Sequence, residues 1–264
     1  MNIRMAAIRA LHGVRRSLGQ PIPEDIMARF LIQEKRIPEI QKSINNALAS
    51  MFFEHRGRVV HKWVHYLDVY ERHFATFRNT PVKMLEIGVF KGGSLEMWRK
   101  YFGDAATIFG IDVNPACAGY VSSPNQVRIG SQDDPVFLTG VVSEMGSPDI
   151  ILDDGSHIAR HQKKAFDVLF PLLKPGGLYV IEDLHTAYWP ALYEGGHKRP
   201  GTAIELVKQM LDDMHAWYHN RPTTTPAKTE IGAIHMYNAV VVIEKVKNDP
   251  PGHVQIGQPA SLPT

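Results

Sequence analysis

The sequence predicts an α/β fold, a mostly parallel sheet covered by helices on both faces, with a helical N-terminal extension. Three observations predict it. From residue 82 short apolar runs alternate with helical segments, the pattern of strands joined by crossover helices. The last two runs stand too close for a crossover helix, so they pair as an antiparallel hairpin at one edge. The 264 residues, 44% of them hydrophobic, suffice for one sizeable core and a small appendage.

In chain order, "MNIRMAAIRALHGVRRSLGQ" places Ile3, Ala7, Ile8, Leu11 and Val14 near helical spacing among Arg4, Arg9, Arg15 and Arg16. It suits an oligomer-contact helix, which makes a homo-oligomer the expected state, or a peripheral contact with a membrane surface. Residues 24 to about 50 resume helical periodicity, with Pro38 expected to interrupt it. The expected organisation is a helical extension over residues 1–57, one α/β domain over 58–248, and a Pro-, Gly- and Ser-rich, poorly ordered tail over 249–264. The strands are read in "VKMLEIG", "TIFGID", "QVRIG", "DIILDD", "LYVIED", "IGAIHMY" and "AVVVIEK".

Composition narrows the class of partner. With 29 basic and 27 acidic residues the charge is too balanced for a nucleic-acid surface, and a small-molecule or glycan partner fits better. The single Cys117 cannot form an internal disulfide, which favours a reducing, cytoplasmic setting. No secretory leader or apolar stretch of about 20 residues is expected.

Ligands of open parallel sheets bind beyond the carboxyl ends of the strands, so the residues there carry the chemistry. The first strand runs into "EIGVFKGGS", with Glu86, Gly88 and Ser94 as candidate cofactor contacts. Phe90 stands where a dinucleotide fingerprint needs a glycine for close approach to a pyrophosphate, which disfavours a Rossmann dehydrogenase. Asp112, closing the second strand, can accept from ribose hydroxyls or simply hold a turn. Ser131, Gln132 and Asp133 after the third strand can meet an adenine edge or cap the next helix. These features resemble the class I S-adenosylmethionine-dependent methyltransferases over roughly residues 60 to 247. The resemblance implies a Rossmann-like seven-stranded methyltransferase sheet with an antiparallel last strand.

The fourth strand ends in Asp153 and Asp154, with His157 three residues on, and the fifth ends in Glu182 and Asp183. Strand ends that lie side by side bring Asp154, Glu182 and Asp183 together, and three uncompensated carboxylates repel. A divalent cation resolves that conflict; oxygen ligands suit Mg²⁺, with Mn²⁺ as a substitute. "DDGSH" over 153–157 and "EDLHTAYW" over 182–189 are similar to the signature of metal-dependent sugar O-methyltransferases of macrolide pathways. The resemblance implies Asp154, Glu182 and Asp183 as metal ligands, Asp154 also as a cofactor contact, and His157 as general base. It further implies that Trp63, His65, Tyr66 and Tyr70, in "HKWVHYLDVYERHF", line the cofactor or acceptor pocket.

The chemistry is consistent with that set. A sugar hydroxyl is barely ionised at neutral pH; a chelated metal eases its deprotonation and an imidazole can take the proton. His185, Tyr188 and Trp189 open a long segment through Gly195 and Gly196, expected as a lid whose aromatic rings stack on a sugar. His161 and His235 are expected to be structural, since no metal-type pairing accompanies them. The expected activity is Mg²⁺-dependent O-methylation of a glycoside, glycolipid or natural product. A catechol-like diol acceptor, or a non-catalytic cofactor-binding assembly protein, are the alternatives.

Overall fold

The computed structural model describes residues 27–257. The amphipathic stretch near the N-terminus and the last residues of the tail lie outside this range; residues 249–257 carry no helix or strand. Among the described residues no helix is long and apolar enough to cross a membrane.

After a 3₁₀ turn (Glu34–Arg36) come two short helices, α1 (Ile37–Ser43) and α2 (Ala47–Phe53). Pro38 lies in the first turn of α1 and so begins that helix instead of interrupting one, because the missing N–H is unneeded there. Asn46 caps α2 by accepting from the Ala49 N–H at 2.7 Å. α2 belongs to the main core, since Leu48 and Ala49 are buried with the residues of α3 (Tyr66–Phe74).

The alternating part then gives β1 (Lys83–Ile87), α4 (Gly93–Phe102), β2 (Thr107–Asp112), β3 (Gln126–Ile129), α5 (Pro135–Met145), β4 (Ile150–Asp153), α6 (Ala159–Leu169) and β5 (Leu178–Ile181). It closes with α7 (Ala203–Met214), α8 (Ala227–Glu230), β6 (Ile231–Met236) and β7 (Val241–Lys245). The strands form one seven-stranded sheet in the order β3-β2-β1-β4-β5-β7-β6. The first five are parallel, and β7 pairs antiparallel with both β5 and β6, so the expected edge hairpin is present.

Side chains two apart share a sheet face. Leu85, Ile87, Ile151, Tyr179 and Ile181 pack toward α5, α6 and α7, whereas Met84, Ile150, Leu152, Leu178 and Val180 pack toward α2, α3 and α4. Both faces are therefore dry, and polar chemistry is confined to the strand ends. α3 matters most for the site, because it packs behind the carboxyl ends of β4 and β5.

Candidate active site

β1 reaches the site through Gly88, whose φ is +97° and where a Cβ would lie 2.1 Å from the Asp154 carbonyl oxygen. Only glycine lets the β1 and β4 ends approach so closely. The turn then passes Phe90, at φ +51°, and enters α4 at Gly93, over which the chain at Arg58 and Val59 is laid. Phe90, His157 (φ +53°) and Asp183 (φ +55°) are all left-handed, and all three line one cavity of about 220 Å³. Non-glycine strain of this kind gathers where the surrounding structure holds side chains in a functional pose.

The acids around that cavity are each gripped from behind. The Lys62 side chain is 2% exposed; its ammonium donates to Asp154 Oδ2 at 2.5 Å and to Glu182 Oε1 at 2.7 Å, and stands 3.8 Å from Glu86. The Tyr70 hydroxyl also donates to Glu182 Oε1. Trp63 Nε1 donates to Asp183 Oδ1 at 3.0 Å, and the Tyr66 hydroxyl lies 3.0 Å from the same oxygen. Lys62, Trp63, Tyr66 and Tyr70 all come from the segment that leads into and forms α3. Burial by itself would pull Lys62 down, but the charges of Asp154, Glu182 and Glu86 outweigh it and raise the ammonium well above the ordinary lysine range.

The remaining oxygens face forward. His157 Nε2 lies 3.7 Å from Asp154 Oδ1 and 3.6 Å from Asp183 Oδ2, and its Nδ1 is buried without a hydrogen-bond partner among the described residues. One ligand atom each from Asp154, His157 and Asp183 fall within 4.8 Å of one another, the spacing of a cation site. Glu182 lies outside this cluster, 1% exposed, with one oxygen shared by Lys62 and Tyr70. All three acids of the sequence-derived trio line the cavity, but only Asp154 and Asp183 cluster with the imidazole, while Glu182 and Asp154 share the buried lysine. Two carboxylate oxygens unclaimed by protein donors suit a hard divalent cation, so the donor set fits Mg²⁺ or Mn²⁺.

The expected cofactor residues divide as well. Gly88, Ser94 and Asp154 line the cavity. Glu86 does not: it is wholly buried beneath the turn, accepting from Ser94 Oγ at 2.9 Å, and burial pushes it up to about 7. Asp112 accepts from the backbone N–H groups of Val89, Phe90 and Asn114, so it braces the glycine turn and does not line that cavity. Gln132 is buried, donating to Asp153 and accepting from the Ser156 N–H, which ties the β3 end to the β4 end. Ser131 donates to Asp133, and Asp133 stands 3.2 Å from His161 Nε2. None of these three lines the cavity.

A second cavity, of about 740 Å³, shares His61, Lys62 and Trp63 with the first. Apart from those residues its wall is apolar and aromatic, including Phe30, Ile37, Ile40, Phe52 and Phe53. Of the expected acceptor residues, Trp189 lines it; His185 is set between the rings of Trp63 and Trp189. Tyr66 is fully buried behind Asp183, His65 bonds the Asn238 carbonyl, and Tyr188 lines neither cavity. The expected lid is a folded wall: Gly195 and Gly196 donate to the Trp189 and Ala187 carbonyls, and Leu184, Thr186 and Ala187 are buried. His235, expected to stand apart from any ligand-type partner, meets His73 and Glu244 within 4.8 Å, a proximity created by the edge hairpin against α3.

Sequence reasoning missed Lys62. The only signal was a cation inside the aromatic run "HKWVHYLDVY", and nothing local ties it to acids 92 and 120 residues away.

Sheet order and strand-end site together define a class I methyltransferase domain, and residues 85–184 match the family described as "Methyltransferase domain". More particularly, the chain is a homologue of sugar O-methyltransferases. It is 41% identical over 198 residues to the 8-demethyl-8-(2-methoxy-alpha-L-rhamnosyl)-tetracenomycin-C 3'-O-methyltransferase of Streptomyces olivaceus, covering 70% of this chain and 50% of that one. To the mycinamicin VI 2''-O-methyltransferase of Micromonospora griseorubida it is 37% identical over 223 residues, 78% of this chain and 53% of the relative. Among solved structures, the MycE methyltransferase of the mycinamycin pathway, in complex with Mg, SAH and mycinamycin VI, superposes with a TM-score of 0.67 at 34% identity. That match covers 82% of this chain and 56% of the other. The chain spans about half the length of the curated relatives it matches.

Proposed function

We propose that this protein transfers the methyl group of S-adenosylmethionine to a hydroxyl of a sugar carried on a small-molecule glycoside, with Mg²⁺ bound at the strand ends. The observation that carries the proposal is the His157 imidazole facing Asp154 Oδ1 and Asp183 Oδ2 at 3.7 and 3.6 Å, beside the Gly88 turn. Asp154 and Asp183 would hold the cation, with Glu182 behind them. When bound, the cation would lower the cost of ionising a coordinated hydroxyl. His157 Nε2 accepts the hydroxyl proton, the oxygen pair forms the new bond to the methyl carbon, and the carbon–sulfur bond breaks with its electrons left on sulfur. Proton removal of this kind contributes roughly 10²- to 10⁴-fold, and confinement of oxygen against methyl adds to it.

The large apolar cavity supports an acceptor whose sugar sits on an apolar aglycone: the chamber's two basic side chains, His61 and Lys62, also line the acid site. A homo-oligomer and a cytoplasmic setting belong to the same proposal, the latter supported by the single, buried Cys117. The test is methyl transfer from labelled S-adenosylmethionine to a panel of rhamnosides and other glycosides, with catechol as the rival acceptor. Transfer to a glycoside that stops in excess chelator and in Asp154→Asn supports the proposal; chelator-insensitive transfer, or transfer to catechol alone, refutes it.

A further inference from the structure

We propose that Lys62 is a built-in counter-ion of the acid site: its ammonium neutralises Glu182 and Asp154 so that the strand ends keep their geometry without a divalent cation, and its charge loosens the hold of the acids on one. The inference rests on the reading of these acids as a cation site.

Three carboxylates surround one ammonium, at 2.5 Å from Asp154, 2.7 Å from Glu182 and 3.8 Å from Glu86. Glu86 and Glu182 are each at most 2% exposed, so water cannot supply the compensation. Lys62 holds Asp154 Oδ2 and Glu182 Oε1, while Asp154 Oδ1 and Asp183 Oδ2 face His157. The ammonium and an incoming cation thus address different oxygens of Asp154, the one acid they share, and do not exclude each other sterically. They compete only for charge. A fixed positive charge near a cation site weakens binding, so the arrangement gives a site that is preformed and exchanges its metal readily. A buried charge pair broken on one side leaves the other charge stranded, whereas removing both sides together is often neutral.

That asymmetry supplies the test, which needs no turnover. The purified full chain is melted in chelator and across a Mg²⁺ titration as the unsubstituted protein, Lys62→Met, and the double variant Lys62→Met with Glu182→Gln. Lys62→Met is expected to lower the metal-free melting temperature by on the order of 10 °C. It is also expected to show a larger Mg²⁺-dependent rise and at least about tenfold tighter Mg²⁺ binding by calorimetry. The double variant is expected to recover most of the loss. A Lys62→Met that melts like the parent or binds Mg²⁺ no more tightly overturns the proposal, as does a double variant no better than the single one, including one that fails to fold. SAH titration of the parent protein separates the two proposals: if SAH does not bind, the methyltransferase assignment fails, while the melts still decide the role of Lys62.

Discussion

The two halves of the sheet's carboxyl edge carry acids of the same kind and use them differently. At the β1–β3 ends, protein donors engage both oxygens of Glu86 and of Asp112 and one of Asp133: Glu86 by Ser94 and Trp98, Asp112 by three backbone N–H groups, Asp133 by Ser131 with His161 beside its other oxygen. At the β4 and β5 ends, Asp154 and Asp183 each have one oxygen gripped and one left facing His157. The difference teaches that an acid at a strand end is not yet a ligand. What counts is the lone pairs that remain once the protein's own donors are assigned, because only those can hold a cation or receive a proton.

The most forceful way to break this comparison is to remove the imidazole that the open oxygens face. His157→Ala is expected to lower kcat by roughly 10²- to 10⁴-fold while Mg²⁺ binding by calorimetry is kept. Loss of Mg²⁺ binding together with activity would make His157 a ligand instead of the base. Next in size, Trp63→Phe keeps the ring but deletes the N–H that grips Asp183 Oδ1 at 3.0 Å. Outer donors of this sort orient ligands, and Mg²⁺ affinity is expected to fall about 10- to 100-fold, with the melting temperature in chelator little changed. An affinity equal to the parent's would show that the rear grip does not matter.

The smallest effect sharpens the comparison from outside the site. Asp213 in α7 is a fully satisfied acid, accepting from the Thr224 and Thr225 N–H groups, the Thr225 hydroxyl and Gln209. Burial alone would push its carboxyl up, but these donors outweigh burial and hold it below the usual aspartate value. A depressed folded-state pKa contributes stability that is present above the unfolded-state value and lost as pH falls through the folded-state value. Asp213→Asn should therefore cost about 1–2 kcal/mol at neutral pH, and the gap to the parent should shrink as the medium is acidified below the ordinary aspartate range. Denaturant melts at pH 7 and below pH 3.8 would check this; a gap that grows in acid would invert the assignment.

The sequence by itself determined the sheet and where its chemistry would lie. All seven apolar runs became strands, because each is too short for a helix and ends in Gly, Asp, Glu or another polar residue that stops the ladder. Asp154, His157 and Asp183 were legible for the same local reason: each stands just beyond a strand, where parallel sheets expose their ends. Only the tertiary structure decided that Glu86 and Gln132 are buried, that Asp112 accepts from the backbone of the glycine turn, that Glu182 pairs with Lys62, and that Tyr66 and Tyr70 stand behind the acids and line neither cavity. Local patterning specifies which face a side chain takes and which turn it enters. It does not specify which donor, 92 or 120 residues away in the chain, arrives to claim a given carboxylate oxygen; that follows from the packing of α3 across the strand ends.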